Sequence, residues 1–365
     1  MKTIDDHYIP GIGVCAGLLM LKWDLLNEQM ALHPVKIDPG EDVNVFINFE
    51  SVLRNLANQK NLPTKVSMFK QEIVIELESA ILNLVANYRS YYKKNNCNAR
   101  VFLYYTDLKS ESEQQMCVYN KHYREYYKNR YLTNAQFKAL GELLTSIVIP
   151  EIQLILKYVP GCYFVSSETF DSSLIPKIIS SKMNGKNVII SGDIFDTLYM
   201  FDPTFITIYI KRRFQYMTVT TNIESTVRSI IKDEFPFDLN IFNAELYYRL
   251  LLSIKGSKIR NIKSAKGFGY TKYVKILNDG LKNGVVLRDF SSIISVIELF
   301  PYQFREDIND SFKCMSLDTQ LELISDTDVS QVMNQIIDKV DIKSIEELNN
   351  KRFFNNPINL PALIY

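Results

Sequence analysis

The sequence predicts an α/β fold: a mostly parallel central sheet flanked by helices, followed by a helical region. Three observations lead there. Short apolar runs of strand character (43–49, 100–105, 162–165, 188–191 and 205–210) alternate with longer segments whose apolar residues recur at helical spacing. Several runs close on a polar residue, at the carboxyl ends where parallel sheets gather their ligands. From about residue 222 onward the pattern is helical, with clusters of Gly and Lys.

Taken in order, residues 1–41 lack a clear period and end in the turn-forming run Asp38-Pro-Gly40. We read them as an N-terminal extension. Within it, 12–21 is apolar, but its length of about ten residues is half of the ~20 that a spanning helix needs. Little positive charge precedes it, as a signal peptide would require, so it reads as a buried or partner-docking segment. The first strand, 43–49, carries Asn48 near its end. Over 65–93, Phe69, Ile73, Leu77, Ile81, Leu84 and Tyr88 mark a long amphipathic helix. The strand 100–105 closes on Thr106-Asp107, and 110–133 is polar, basic and rich in Tyr. A helical stretch over 137–158 is interrupted at Pro150. Then come a strand at 162–165, a helix over 171–181, a strand at 188–191 ending in Gly192-Asp193, and a strand at 205–210. The expected division is 1–41 as extension, 42–221 as the α/β domain and 222–365 as a helical domain with a C-terminal tail.

Composition narrows the function classes. With 365 residues, 47% hydrophobic and 23% charged, the chain can build a substantial core. Its net charge of +1 means that any nucleic-acid contact comes from local clusters and not from a global field. Five cysteines without C-x-x-C spacing argue against a zinc site and a disulfide framework, and for a reducing compartment. The expectation is a soluble, intracellular protein with no membrane span. Richness in Asn, Lys, Ile and Tyr points to an AT-rich genome, such as a viral one. The three histidines lie far apart, and neither a nucleophile elbow nor a Gly-Lys-Ser/Thr phosphate loop occurs.

Two features carry chemistry. The first is Lys266-Gly-Phe-Gly-Tyr-Thr-Lys272, followed by Val274, Ile276 and Leu277, which reads as a glycine hairpin entering a helix. Gly267 and Gly269 can bring bare backbone close to a ligand. The helix N-terminus adds partial positive charge, and Lys266, Lys272 and Lys275 surround the spot, which suits a phosphate backbone. The plainer alternative is a solvated loop–helix corner.

The second feature is a set of acids at element ends. Asp107 and Asp193 follow strands, and Glu168 and Asp171 sit at i, i+3 where a helix begins, on one helix face. Carboxylates converging on one rim suit Mg²⁺ or Mn²⁺, which take oxygen ligands. A pair of such ions can activate water and stabilise the leaving oxygen in phosphodiester hydrolysis. Read singly, Asp107 and Asp193 end strands or cap helices, and Asp171 is an N-cap.

The order of these parts resembles the flap-endonuclease (5′-nuclease) family, whose catalytic domain is PIN-like, over roughly residues 43–285. Gly256, Asn261, Ile262, Gly267 and Gly269 resemble that family's helix–three-turn–helix signature. Ser191-Gly-Asp193 with Thr197-Leu198 is similar to its strand with paired aspartates, and Glu168 and Asp171 to its acidic helix start. Arg124, Lys128 and Arg130 resemble the basic arch residues that gate a single-stranded 5′ end. The resemblance implies Asp107, Glu168, Asp171 and Asp193 as catalytic metal ligands for Mg²⁺ or Mn²⁺. It implies Lys266, Gly267, Gly269, Lys272, Lys275, Arg124, Lys128 and Arg130 as DNA-binding residues, and a K⁺ ion held by hairpin carbonyls.

The departures are as specific as the matches. Asn48 stands at the family's first-strand aspartate, and Ser257 and Arg260 at the hairpin's two aspartates. Phe195 takes the second position of the Asp-x-Asp pair, unless Asp196 fills it by a local shift. An amide brings no charge to a cation and Arg260 brings the wrong one, which weakens a two-metal site. Three readings follow. One is a structure-specific DNA-binding protein, binding branched or duplex DNA, with hydrolysis lost or reduced. The second is an active metal-dependent 5′ nuclease in which Asp196, Glu50 or Asp202 fills the vacated positions. The third is a structural or assembly component without nucleic acid, docking a protein partner through residues 1–41 or the apolar tail 352–365; the plainer reading of that tail is docking on the chain's own core.

Overall fold

The computed structural model describes residues 37–49, 70–106, 144–167, 169–193, 195–210, 216–219, 243–256, 270–337 and 341–352. Strand β1 (Asp42–Asn48) leads into helix α1 (Lys70–Lys94) and strand β2 (Asn98–Thr106). A π-helical turn (Leu144–Val148) runs straight into α2 (Ile149–Leu156), followed by β3 (Cys162–Ser167). A 3₁₀ turn (Ser172–Leu174) opens α3 (Ile175–Lys182), and β4 (Lys186–Ser191) follows. A second 3₁₀ turn (Asp196–Phe201) precedes β5 (Phe205–Ile210) and β6 (Tyr216–Val219). The helical region holds α4 (Ala244–Lys255), α5 (Tyr270–Lys282), α6 (Ile293–Ile297), α7 (Tyr302–Cys314), α8 (Leu317–Leu321), α9 (Asp326–Met333) and α10 (Ile342–Arg352).

The sheet order is β3-β2-β1-β4-β5-β6. The first five strands pair in parallel, and β6 pairs antiparallel with β5, so the expected mostly parallel sheet is present. The strand at 216–219 was not anticipated: its four residues are too short a run to show an alternation. The order turns back at β1, where β2 and β3 lie to one side and β4 and β5 to the other. That reversal falls at β1 and β4, whose carboxyl ends are the usual ligand position in open α/β sheets.

Alternation along the strands sends successive side chains to two separate cores. Val43, Val45 and Ile47 of β1 pack with Leu77, Ile81 and Val85 of α1 and Ile152 of α2. In α1, Leu77, Ile81, Val85, Tyr88 and Tyr92 are all buried, so the helical period read from sequence is the period that faces the sheet. On the opposite face, Phe46 stacks on Phe102 with ring centroids 5.0 Å apart, and Phe102 stacks on Tyr163 at the same separation. That face is covered by Ile175 and Ile178 of α3, by Tyr247, Tyr248 and Leu251 of α4, and by Tyr273 of α5. Residues before and after position 222 therefore share one core.

Local chemistry fixes the ends. Pro150, expected to interrupt a helix, sits at the second residue of α2, where the π-helical turn gives way to α-helix. Asn243 caps α4 by accepting from the amides of Glu245 and Leu246, and Gly256 closes it with φ of 66°. The exposed edge of β3 is satisfied by Gln335: Ser166 donates its backbone N–H to Gln335 Oε1, and Gln335 Nε2 donates to Ser166 O, both at 2.9 Å. A side-chain amide thus takes the place of a neighbouring strand. Among the described residues, no helix is long and apolar enough to cross a membrane.

At the amino edge, Gly185 holds φ of +136°, and a Cβ there would meet Asp42 O at 2.8 Å. Gly185→Ala is expected to destabilise the fold by about 1–3 kcal/mol, read as a lower midpoint in urea unfolding with an unchanged slope.

Candidate functional site

The register brings three polar side chains together at the carboxyl edge. Asn48 of β1 pairs with Tyr104 of β2, and Ile47 pairs with Ile190, which places Asn48 beside Ser191 of β4. Asn48, Tyr104 and Ser191 share the parity of Phe46, Phe102 and Ile189, so all three face the α3–α4 side of the sheet. There they meet one carboxylate. Asp196 Oδ2 accepts from Asn48 Nδ2 at 2.5 Å, Ser191 Oγ at 2.5 Å and Tyr104 Oη at 2.9 Å. Asp196 is fully buried, and a charge withdrawn from water is held only where such donors surround it.

The acids predicted from sequence occupy related but distinct positions. Asp193 is buried; its backbone N–H donates to Ser191 Oγ and its Oδ1 accepts from Phe195 N, both at 2.9 Å, which shapes the turn after β4. Asp171 is also buried and caps the 3₁₀ turn before α3, accepting from Ser173 N at 2.9 Å and from the Ser173 hydroxyl. Thr106 at the end of β2 accepts from Ser172 N at 3.2 Å. Asp107 and Glu168 lie outside the described residues, as do Arg124, Lys128, Arg130, Lys266, Gly267 and Gly269. The hairpin's core and the basic arch segment are therefore not among the described elements. Lys272 and Lys275 are exposed and lie three residues apart on α5, on one face.

Burial, then the negative charge of Asp196, pushes the Tyr104 phenol well above its usual range. Tyr199 is raised in the same way, by burial first and then by Asp196, against the lowering effect of its hydrogen bond from Lys177 N. Both phenols therefore stay protonated and act as donors. Tyr199 Oη donates to Ser173 O at 2.5 Å and accepts from Lys177 N at 3.2 Å, joining the 196–201 turn to α3. Thr197 Oγ1 and Tyr248 Oη share a hydrogen bond of 2.7 Å, joining the same turn to α4.

The fit of a divalent cation can be judged on these donors. Among the described residues, no three His, Cys, Asp or Glu side chains form a group that could hold a metal ion. Asn48 turns its N–H, not its oxygen, toward Asp196. Asp171 and Asp193 each commit an oxygen to a backbone amide. The described part of the rim therefore presents no assembled Mg²⁺ or Mn²⁺ site in this arrangement.

Sequence reasoning placed Asn48 and Asp193 at strand ends and named Asp196 as a substitute acid. It missed Tyr104 and the role of Ser191. Tyr104 sits inside an apolar strand, where its hydroxyl carries no signal until the β1–β2 register is known.

No protein-family model matches the sequence, and no curated protein matches it. The fold is similar to solved bacteriophage T5 structures. One is a T5 flap endonuclease, described as a pseudo-enzyme–product complex with DNA and metal ions, at 13% identity and a TM-score of 0.45, covering 80% of this chain and 97% of that chain. Another is the T5 5′-exonuclease with bound zinc, at 12% identity and a TM-score of 0.45, covering 80% and 98%. A third structure, of T5 D15 protein co-crystallised with metal ions, aligns at 14% identity and a TM-score of 0.47, covering 84% of this chain and 99% of that chain. Likeness at this level carries no argument about chemistry, which rests on the residues above.

Two outcomes follow from the geometry. Tyr104→Phe removes one of three donors to a buried carboxylate and is expected to cost about 1.5–3 kcal/mol in chemical denaturation. The second concerns Asp202, which receives Lys177 Nζ at 2.5 Å. Burial works against its charge, but hydrogen bonds from Lys177 and Thr204 outweigh this and hold its carboxyl below the usual carboxylate range. Its stabilising contribution is thus complete above the unfolded value of about 3.9 and fades as pH falls through the lower native value. Unfolding midpoints of Asp202→Asn should show a shallower loss below about pH 4 than the parent chain.

Proposed function

We propose that this chain is a structure-specific DNA-binding protein of the 5′-nuclease type in which phosphodiester hydrolysis is lost or reduced. The observation that carries the reading is the Asn48–Asp196 hydrogen bond at the carboxyl edge. Where the resemblance to 5′ nucleases calls for a first-strand carboxylate, this chain supplies a neutral N–H donor, and that donor occupies a neighbouring carboxylate. A site built in this way has one carboxylate fewer to offer a cation.

The binding half of the reading rests on the basic residues after the glycine run. Lys272 and Lys275 project from α5 into solvent, as point charges suited to phosphates. With a net charge of only +1, the chain depends on such local clusters for contact with nucleic acid. In this reading 42–221 is the nuclease-type domain, and 222–365 carries the DNA-holding element at about 256–277.

One observation favours the active-nuclease alternative. Asp196 lies three residues beyond Asp193 at the same sheet edge, where a shifted ligand set would draw its second acid.

Fluorescence anisotropy with labelled flap, forked and duplex DNA tests the proposal. Binding should be measurable at low salt, with log K falling linearly against log salt. Lys272→Ala and Lys275→Ala should each weaken binding on all sequences and reduce the salt slope by about one. Absence of binding at low salt would sink the proposal. Cleavage of the same flap in Mg²⁺ and in Mn²⁺ should be absent or weak, whereas robust cleavage abolished by Asp193→Ala would establish the alternative.

A further inference from the structure

Helix α5 carries a glycine, Gly280, in its interior, which costs about 1 kcal/mol relative to alanine. Tyr273, Leu277 and Gly280 recur at i, i+4 and i+7, and all three are buried, so they share the inward face of α5. A Cβ on Gly280 would come within 3.0 Å of Leu299 Cδ1, closer than real Cβ atoms approach a neighbour. Leu299 belongs to the turn between α6 and α7. The next residue of that turn, Phe300, stacks on Tyr273 with ring centroids 5.9 Å apart. Two consecutive side chains thus seat α5 at points seven residues apart. The turn has little freedom to retreat. Arg305 of α7 donates from Nε to Phe300 O at 2.7 Å and from Nη2 to Glu298 O at 2.5 Å, gripping the backbone on either side of Leu299. Leu299 itself packs on the second core. The end of α5 is fixed at the same point. Gly280 O accepts from Asn283 N and Val285 N, both at 3.0 Å, and Gly284 has φ of 81°, which is a Schellman stop.

We infer that Gly280 and Leu299 form a notch and knob that aim α5, making Gly280 a positioning residue for the exposed Lys272 and Lys275 on the same helix. A side chain at 280 meets a turn that Arg305 holds in place, so α5 tilts away and the lysines are misdirected while the fold persists. The consequence for DNA rests on the binding reading proposed above, whereas the packing of Gly280 on Leu299 does not.

Anisotropy with labelled flap and duplex DNA, beside amide hydrogen exchange, tests this on the parent chain, Gly280→Ala, Leu299→Ala and the double variant. Gly280→Ala should bind about tenfold more weakly, within the range over which contacting residues couple. Its salt slope should also fall, because fewer phosphates are met. The double variant should recover parent affinity and slope, since shortening Leu299 clears the space that the new methyl needs. A purely structural defect at 280 would not be repaired by a second truncation at 299. Gly280→Ala binding as tightly as the parent overturns the inference, as does a double variant no better than Gly280→Ala. If Gly280→Ala does not fold, a folded double variant with parent affinity supports it, and failure of both overturns it. Failure of the parent chain to bind DNA would instead strike the proposed function. Exchange then decides the inference: the amides of Asn283 and Val285 should lose protection in Gly280→Ala and regain it in the double variant, and indifference in both overturns it.

Discussion

The hydrogen bonds that converge on Asp196 connect the sheet to most of what packs on its second face. Asn48, Tyr104 and Ser191 come from three adjacent central strands, and their shared acceptor opens the 196–201 turn. That turn then reaches outward in two directions. Tyr199 binds both Ser173 and Lys177 at the start of α3, and Thr197 binds Tyr248 of α4. Helix α4 shares its core with Tyr273 of α5, the helix that carries Lys272 and Lys275. The position of the basic surface therefore depends on a turn that is anchored at the carboxyl edge.

The energetics explain why such an anchor specifies position more than it adds stability. Withdrawing a carboxylate from water costs several kcal/mol even after relaxation. Three charge-assisted hydrogen bonds return about 1.5–3 kcal/mol each, so the two sides nearly offset. What remains is directional: the carboxylate is tolerated in one place only, beside those three donors. Asp171 and Asp193 follow the same logic on a smaller scale, each shaping a turn by accepting from a nearby backbone amide.

The strands and the long helix α1 were legible because their cause is local. A run such as Val45-Phe46-Ile47 or Val188-Ile189-Ile190 is apolar on both faces, as a strand covered on both sides must be. The spacing of Leu77, Ile81 and Tyr88 follows from the one face that α1 buries. Asn48 and Asp193 could be singled out because they interrupt or end apolar runs. The hub could not be seen, because it depends on register. Nothing in the sequence around Tyr104 says that it lies opposite Asn48, or that Ser191 comes alongside from a strand more than 140 positions later. The antiparallel strand β6 was hidden for a related reason, since its assignment rests on pairing with β5 rather than on its own four residues.

The buried charge of Asp196 is offset either by neutral donors or by a cation. Crystals of the parent chain soaked in Mn²⁺ and measured at a wavelength where manganese scatters anomalously report this directly. With neutral donors in that role, no anomalous peak is expected beside Asp196 and the hydrogen bond from Asn48 stays intact. A peak bonded to an Asp196 oxygen, with the Asn48 amide turned to offer its own oxygen, would contradict it.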